Sequence, residues 1–282
     1  MLNLYTSVIA KVAPEESFAE GEKLSVLYHN LFDFPLSFAD LIRWKACDER
    51  IDNSQLTINQ KSGYFFLEGR EGLIYQKLLR KRISAKKLEI GKRASRILSF
   101  IPTVRMVAVT GSLAMGNSTD ESDIDLMIIT SKNTLWLSRL LVYFVLRAAN
   151  YKLRRPFDKA QKDKLCLNMW LDENDLIFRD RNLYTAHEIA QVFPLVNKNK
   201  TYEKFLYKNK WILNFWPNAV KIVNCKLKIE NSSRGMNIFE LIAYKLQHLY
   251  MKSKITREVI TPTRALFHPQ DWGKVVLSRF TS

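Results

Sequence analysis

The stretch from residue 104 to residue 130 constrains the fold more than any other. Val104 to Thr110 is β-branched and apolar and stops at Gly111, as a buried strand does. Gly111-Ser112 opens a short polar segment, and Asp123-Ile124-Asp125-Leu126 begins a second apolar run that ends at Thr130. Side chains two apart on a strand share a face. Asp123 and Asp125 therefore project together, while Ile124 and Leu126 turn to the opposite, apolar side. Two adjacent carboxylates repel unless a cation lies between them. Hard oxygen ligands on a rigid strand suit Mg²⁺, and a glycine turn ahead of them offers backbone N–H groups and a hydroxyl to phosphate.

Gly-Ser, the ten residues Leu113 to Ser122, and then Asp-Ile-Asp-Leu resemble the signature of the DNA polymerase beta superfamily of nucleotidyltransferases. The resemblance runs from residue 103 to about residue 175. It implies an α+β fold, a small mixed nucleotidyltransferase sheet flanked by helices. It implies that Gly111 and Ser112 bind the triphosphate and that Asp123 and Asp125 hold two Mg²⁺ ions, with Mn²⁺ as a substitute. The substrate it implies is an NTP, with ATP the first to consider. The reaction is transfer of an NMP to an acceptor hydroxyl with release of pyrophosphate.

The family places a third carboxylate in the strand beside the paired aspartates. Here Leu165 to Leu171 reads as that strand, and Asn168 occupies the position. An amide can ligate weakly but accepts no proton at neutral pH. Asp172 is a candidate substitute, although it lies roughly 13 Å further along a strand. The alternatives are catalysis by the two aspartates alone, or a catalytically degenerate regulator that binds nucleotide or nucleic acid.

Charge bears on the acceptor. The net charge is +16. Residues 72–99 hold nine basic residues against Glu89, and residues 147–164 hold seven against Asp158 and Asp163, so thirteen of the sixteen surplus charges flank the motif. Clustered basic charge attracts polyanions, which makes RNA a candidate acceptor; another protein is the alternative. The same runs also fit solvated helix and loop surfaces.

The rest of the chain divides around this centre. Residues 1–70 read as helix, helix, short helix and hairpin, similar in layout to a winged helix-turn-helix. Ser37 and Asp40 form a candidate capping box, and the hairpin turns near Gly63. The short third helix, within residues 48–55, carries Asp48, Glu49 and Asp52, which oppose DNA phosphates, so packing or a protein partner is the favoured role. Residues 71–102 read as a basic linker helix with Ile74, Leu78, Ile83, Ile90, Ala94 and Ile97 along its apolar side. Residues 103–180 form the expected catalytic domain. Residues 181–282 read as a helical C-terminal domain, in which His187 is expected to be packed rather than catalytic. Cys47, Cys166 and Cys225 are scattered and odd in number, which fits a reducing, cytoplasmic setting. The first eleven residues lack a basic leader segment, and no apolar run reaches the length of a membrane span.

Overall fold

The computed structural model describes residues 18, 20–47, 57–155, 158, 160–222, 237–252, 258–267 and 272–279. Four elements open the chain: helix α1 (Glu20–Asn30), strand β1 (Leu36–Ser37), helix α2 (Phe38–Arg43) and the hairpin of β2 (Ile58–Lys61) and β3 (Tyr64–Leu67). The capping box is present: the Ser37 hydroxyl accepts from the Asp40 backbone N–H at 3.2 Å, and the Asp40 carboxylate accepts from Ser37 N–H at 3.0 Å. Ser62 and Gly63 both take positive φ, 53° and 77°, as a two-residue hairpin turn requires. The three strands pair in the order β1-β3-β2, and Val26, Phe34, Leu36, Leu41 and Phe65 form a small core beneath them. The short helix expected within residues 48–55 lies outside the described residues.

Helix α3 (Gly72–Leu98) leads into the main sheet. Its inner face is not the expected one. Leu78 is exposed, and the buried positions are Leu73, Ser84, Lys87, Gly91, Ala94, Ser95 and Leu98. Among the expected stripe only Ala94 is buried. Small residues here let the helix backbone approach the sheet, and Lys87 finds acceptors in the loops, so the side chosen is the one that fits rather than the most apolar.

The sheet combines β4 (Val104–Val109), β5 (Ile124–Thr130), β6 (Leu165–Asp172), β7 (Phe193–Asn197), β8 (Val259–Thr261) and β9 (Arg264–Leu266) in the order β7-β4-β5-β6-β9-β8. The β5–β6 pair is parallel and the others are antiparallel, so the sheet is mixed. Both faces are covered, which explains why β4 and β5 are apolar on both sides. Val107, Ile124, Leu126, Ile128 and Trp170 pack toward α3, α5 (Leu135–Ala148) and α8 (Ile238–Lys252). Met106, Ala108, Met127, Ile129 and Leu171 pack toward α6 (Leu183–Ala190), α7 (Thr201–Lys208), the 3₁₀ turn Lys210–Asn214 and α9 (Trp272–Ser278). Leu24, Tyr28 and Trp44 of the N-terminal elements enter this second core.

The described part of residues 181–282 is mainly helical, and it also supplies three of the six sheet strands. β7 is a five-residue edge strand interrupted by Pro194, and β8 and β9 are three residues each, flanking a turn at Pro262 and Thr263. Strands this short carry no periodic signal, and a proline is admitted at an edge.

Candidate active site

β4 and β5 are antiparallel and β6 is parallel to β5, so the end of β4 and the starts of β5 and β6 meet at one end of the sheet. The Thr110 N–H donates to Asp125 O at 3.1 Å. Gly111 follows with φ of 60°, and a Cβ added there would stand 2.9 Å from Asp125 Oδ2. Glycine is thus required twice, for the left-handed backbone and for the closeness of the carboxylate. Gly111 to Ala114 forms a single helical turn, α4, and its Ser112 is exposed.

Asp123 and Asp125 do share a site. Asp125 pairs in register with Cys166 of β6, and one oxygen or sulfur atom of each of Asp123, Asp125 and Cys166 lies within 4.8 Å of the others. The register slips by one residue between Asp125 and Met127. Such a bulge re-aims side chains, and here Asn168 meets Asp125: its Nδ2 donates to Asp125 Oδ1 at 2.6 Å. Asn168 Oδ1 is buried without a partner among the described residues. All five residues singled out in the sequence, Gly111, Ser112, Asp123, Asp125 and Asn168, therefore lie at this end of the sheet.

Two residues of the site were not anticipated. Arg154 Nη1 donates to Asp123 Oδ2 at 2.6 Å and lies 3.7 Å from Cys166 Sγ. Its sequence signal was drowned in the charge of the segment around it. Cys166 stands two residues before Asn168 on the same strand face, a relation that cysteine spacing does not reveal. Burial, then the charge of Asp123, pushes Asp125 up to about 7, with Cys166 and Arg154 opposing. Burial and the two carboxylates push the Cys166 thiol up, so it stays a neutral thiol. Glu188 of α6 also feels Asp125; burial first, then that charge, pushes it up to about 7, against a 2.6 Å hydrogen bond from Gln191.

The donor set suits a hard divalent cation. It offers two carboxylates and one unsatisfied amide oxygen, and the sulfur beside them is protonated. Oxygen donors outnumber the single sulfur, as a hard cation prefers.

The loop between Ser112 and Asp123 is fixed from α3. Ser118 N–H donates to Ser84 Oγ at 2.9 Å, and Arg80 reaches Asn117 Oδ1 at 3.2 Å. Lys87 Nζ donates to Asp120 O at 2.9 Å, to Ser122 O at 2.8 Å and to Asp163 Oδ1 at 2.8 Å. Asp172 does not serve as a third site carboxylate. Its oxygens accept from Asn133 N–H at 2.6 Å and Asn174 N–H at 2.9 Å, holding the turn ahead of α5. His187 is packed, as expected: its ring lies 4.2 Å from Trp44 and 4.8 Å from Tyr28, and its Nε2 is 3.2 Å from His29 Nε2.

Among the described residues no helix is long and apolar enough to cross a membrane. A search of curated proteins gives no match. Among solved structures, one titled as a toxin–antitoxin with AMP-PNP is similar at 16% identity, over 42% of this chain and 82% of that chain, with a TM-score of 0.26. That likeness is too slight to carry an argument. The profile of the nucleotidyltransferase domain family matches residues 92–215, a span that holds the Gly-Ser turn, both aspartates, Arg154, Cys166 and Asn168. With the mixed sheet and the geometry at its end, residues 92–215 are a nucleotidyltransferase domain.

Proposed function

We propose that the chain is a metal-dependent nucleotidyltransferase that moves an NMP from an NTP, ATP first, to an acceptor hydroxyl with release of pyrophosphate. The observation that carries this reading is the meeting of Asp123, Asp125 and the unsatisfied Asn168 oxygen beside a glycine turn that admits no Cβ. Asp123, Asp125 and Asn168 Oδ1 are the atoms that would hold Mg²⁺ or Mn²⁺. When bound, the cation supplies charge neutralisation at the transferring phosphoryl group.

The chain's own residues define the remaining steps. Gly111 and Ser112 present backbone N–H groups and a hydroxyl to the outer phosphates. The acceptor oxygen forms a bond to the α-phosphorus as the α–β bridging oxygen leaves with pyrophosphate. Asn168 has no basic atom at neutral pH, so the acceptor's proton goes to a carboxylate of the pair or to solvent. Arg154 compensates the carboxylates before the nucleotide arrives.

The acceptor is a nucleic acid, RNA foremost, or a protein. A second reading, a nucleotide-binding regulator without turnover, is favoured by Asn168 donating to Asp125 where the family places a carboxylate. One experiment separates them. Purified protein is incubated with α-labelled NTPs, Mg²⁺ or Mn²⁺, and cell extract. Label transfer that falls by about a thousandfold or more in Asp123→Ala/Asp125→Ala supports the transferase, a loss in the range of removing a principal charge-stabilising group. Undiminished transfer in the double variant breaks the site assignment. Nucleotide binding with no transfer to any acceptor supports the regulator.

A further inference from the structure

A cavity of about 410 Å³ opens behind the segment that carries Arg154, and the catalytic chemistry makes no use of it. Its walls include the cations Arg147, Lys152, Arg155 and Lys164, the single acid Asp158, and Tyr151. Arg147 comes from the last turn of α5. Tyr151, Lys152 and Arg155 come from the strand-like run that follows. That run is bolted to β6: Leu165 N–H donates to Lys152 O at 2.8 Å, Arg154 N–H donates to Leu165 O at 2.9 Å, and Leu153 pairs with Leu165. Arg154 turns to Asp123 while its neighbours on both sides line the cavity. One short segment thus presents a cation to the aspartates on one side and two more, Lys152 and Arg155, to a separate space on the other.

The charges in that space do not cancel. Asp158 accepts through Oδ2, from Lys164 Nζ at 2.8 Å and from Arg155 N–H at 3.0 Å, so its charge is paired within the lining. Arg147 and Lys152 have no carboxylate partner among the described residues, and the lining carries four cations against one anion. Like charges held together on an anchored backbone lower their mutual repulsion by binding an anion. The space exceeds what a single phosphate needs, since it has room for on the order of ten waters. Two guanidiniums offer planar forks to phosphate oxygens.

We propose that this cavity binds the phosphodiester backbone of a nucleic-acid strand, and that this strand is the acceptor. Only the word acceptor rests on the transferase reading; the anion site stands on the cavity alone.

The test uses the full chain and short fluorescent single-stranded RNA and DNA oligonucleotides, read by anisotropy across a salt series. Lys152→Gln/Arg155→Gln is compared with Lys86→Gln/Arg93→Gln, which removes the same charge from the exposed face of α3. The cavity variant is expected to bind about tenfold or more weakly and to lose roughly two from the slope of log affinity against log salt. The α3 variant is expected to change binding less than about threefold, and inorganic phosphate is expected to compete. Tighter binding of RNA than of DNA would assign the strand as RNA, and the reverse order as DNA. Equal effects of the two variants would mean that net charge alone attracts the strand, and would overturn the proposal. So would failure of the wild type to bind either strand while label transfers to a protein. The catalytic reading is checked in parallel with Asp123→Asn/Asp125→Asn. That variant is expected to lose Mn²⁺ binding, seen by electron paramagnetic resonance, and to keep oligonucleotide binding. Intact strand binding with no transfer in the wild type would overturn the catalytic reading alone.

Discussion

Helix α3 and the run from Arg147 to Lys164 look alike in sequence, and the fold puts them to opposite uses. Each is dense in lysine and arginine. On α3 the inward-facing cations are consumed. Lys77 Nζ meets Pro35 O at 2.6 Å and Asp40 Oδ2 at 2.6 Å, Arg80 meets Asp33 O at 3.3 Å and Asn117, and Lys87 meets three oxygens. In the second run Arg154 meets Asp123, while Arg147, Lys152 and Arg155 are left facing a cavity. A charge count treats the two alike. The difference is which side of the backbone meets oxygen atoms of the chain itself.

Lys87 gives the largest expected effect and the sharpest way to break this comparison. Its side chain is only 1% exposed, and its ammonium joins the loop before Asp123 to Asp163. Lys87→Met keeps the volume and removes the donors. Two carbonyls and a half-exposed carboxylate then lose their partner, a cost of about 4 kcal/mol. Chemical denaturation measures it. Arg155→Gln, on an exposed side chain, is expected to stay within about 0.5 kcal/mol of wild type. Similar losses in the two variants would show that the cations of the second run are structural as well.

A pH series separates buried cations from buried neutral imidazoles. His29 Nδ1 faces Ser25 O at 2.8 Å, and a carbonyl only accepts, so Nδ1 carries the proton. His29 Nε2 therefore accepts from His187 Nε2–H. Burial lowers His29 from 6.5 to about 4 and holds His187 well below its ordinary value. A depressed base stabilises the fold above its unfolded value, and that stability is lost as pH falls from 6.5 toward 4. At pH 5 the loss from His29 alone is about 2 kcal/mol relative to pH 7.5. Asp172 and Glu188, raised by burial to about 6 and about 7, act oppositely in the same window, because a raised acid gains stability as pH falls. The imidazole part is therefore read as a difference. His29→Gln should recover about 2 kcal/mol relative to wild type between pH 7.5 and pH 5. No recovery would mean that the imidazoles are not held neutral by the fold.

The same contrast explains what could be read before the structure. Strands β4 and β5 were legible because Val104 to Thr110 and Asp123 to Thr130 are mostly apolar runs, and because Gly111, Asp123 and Asp125 are fixed in spacing along one chain. Asn168 was legible for the same reason, as one position in a short apolar strand. Arg154 and Cys166 join the site only through the β5–β6 register, a pairing that no local pattern encodes. The buried side of α3 was misread because its closest neighbours are carbonyls of residues 120 and 122 and small gaps against the sheet, both remote in sequence. β7, β8 and β9 were missed because three to five residues cannot show a period.

The smallest expected effect tests how closely α3 fits the sheet. Gly91 lies on its buried face, where glycine costs a helix about 1 kcal/mol relative to alanine. A Cβ there would stand 3.6 Å from Leu195 Cδ1, 3.7 Å from Ile124 Cγ2 and 3.9 Å from Val109 Cγ2, all ordinary contact distances. Gly91→Ala should therefore stabilise the protein by about 0.5–1 kcal/mol, the helix preference with no clash against it. The gain should come without a change in metal binding at Asp123 and Asp125, because Ile124 turns to the opposite side of β5 from the two carboxylates. If Gly91→Ala destabilises instead, α3 sits closer to the sheet than ordinary packing allows. The small residues of its inner face would then be a requirement for placing Lys87 against the loop rather than slack that the sequence has left unfilled.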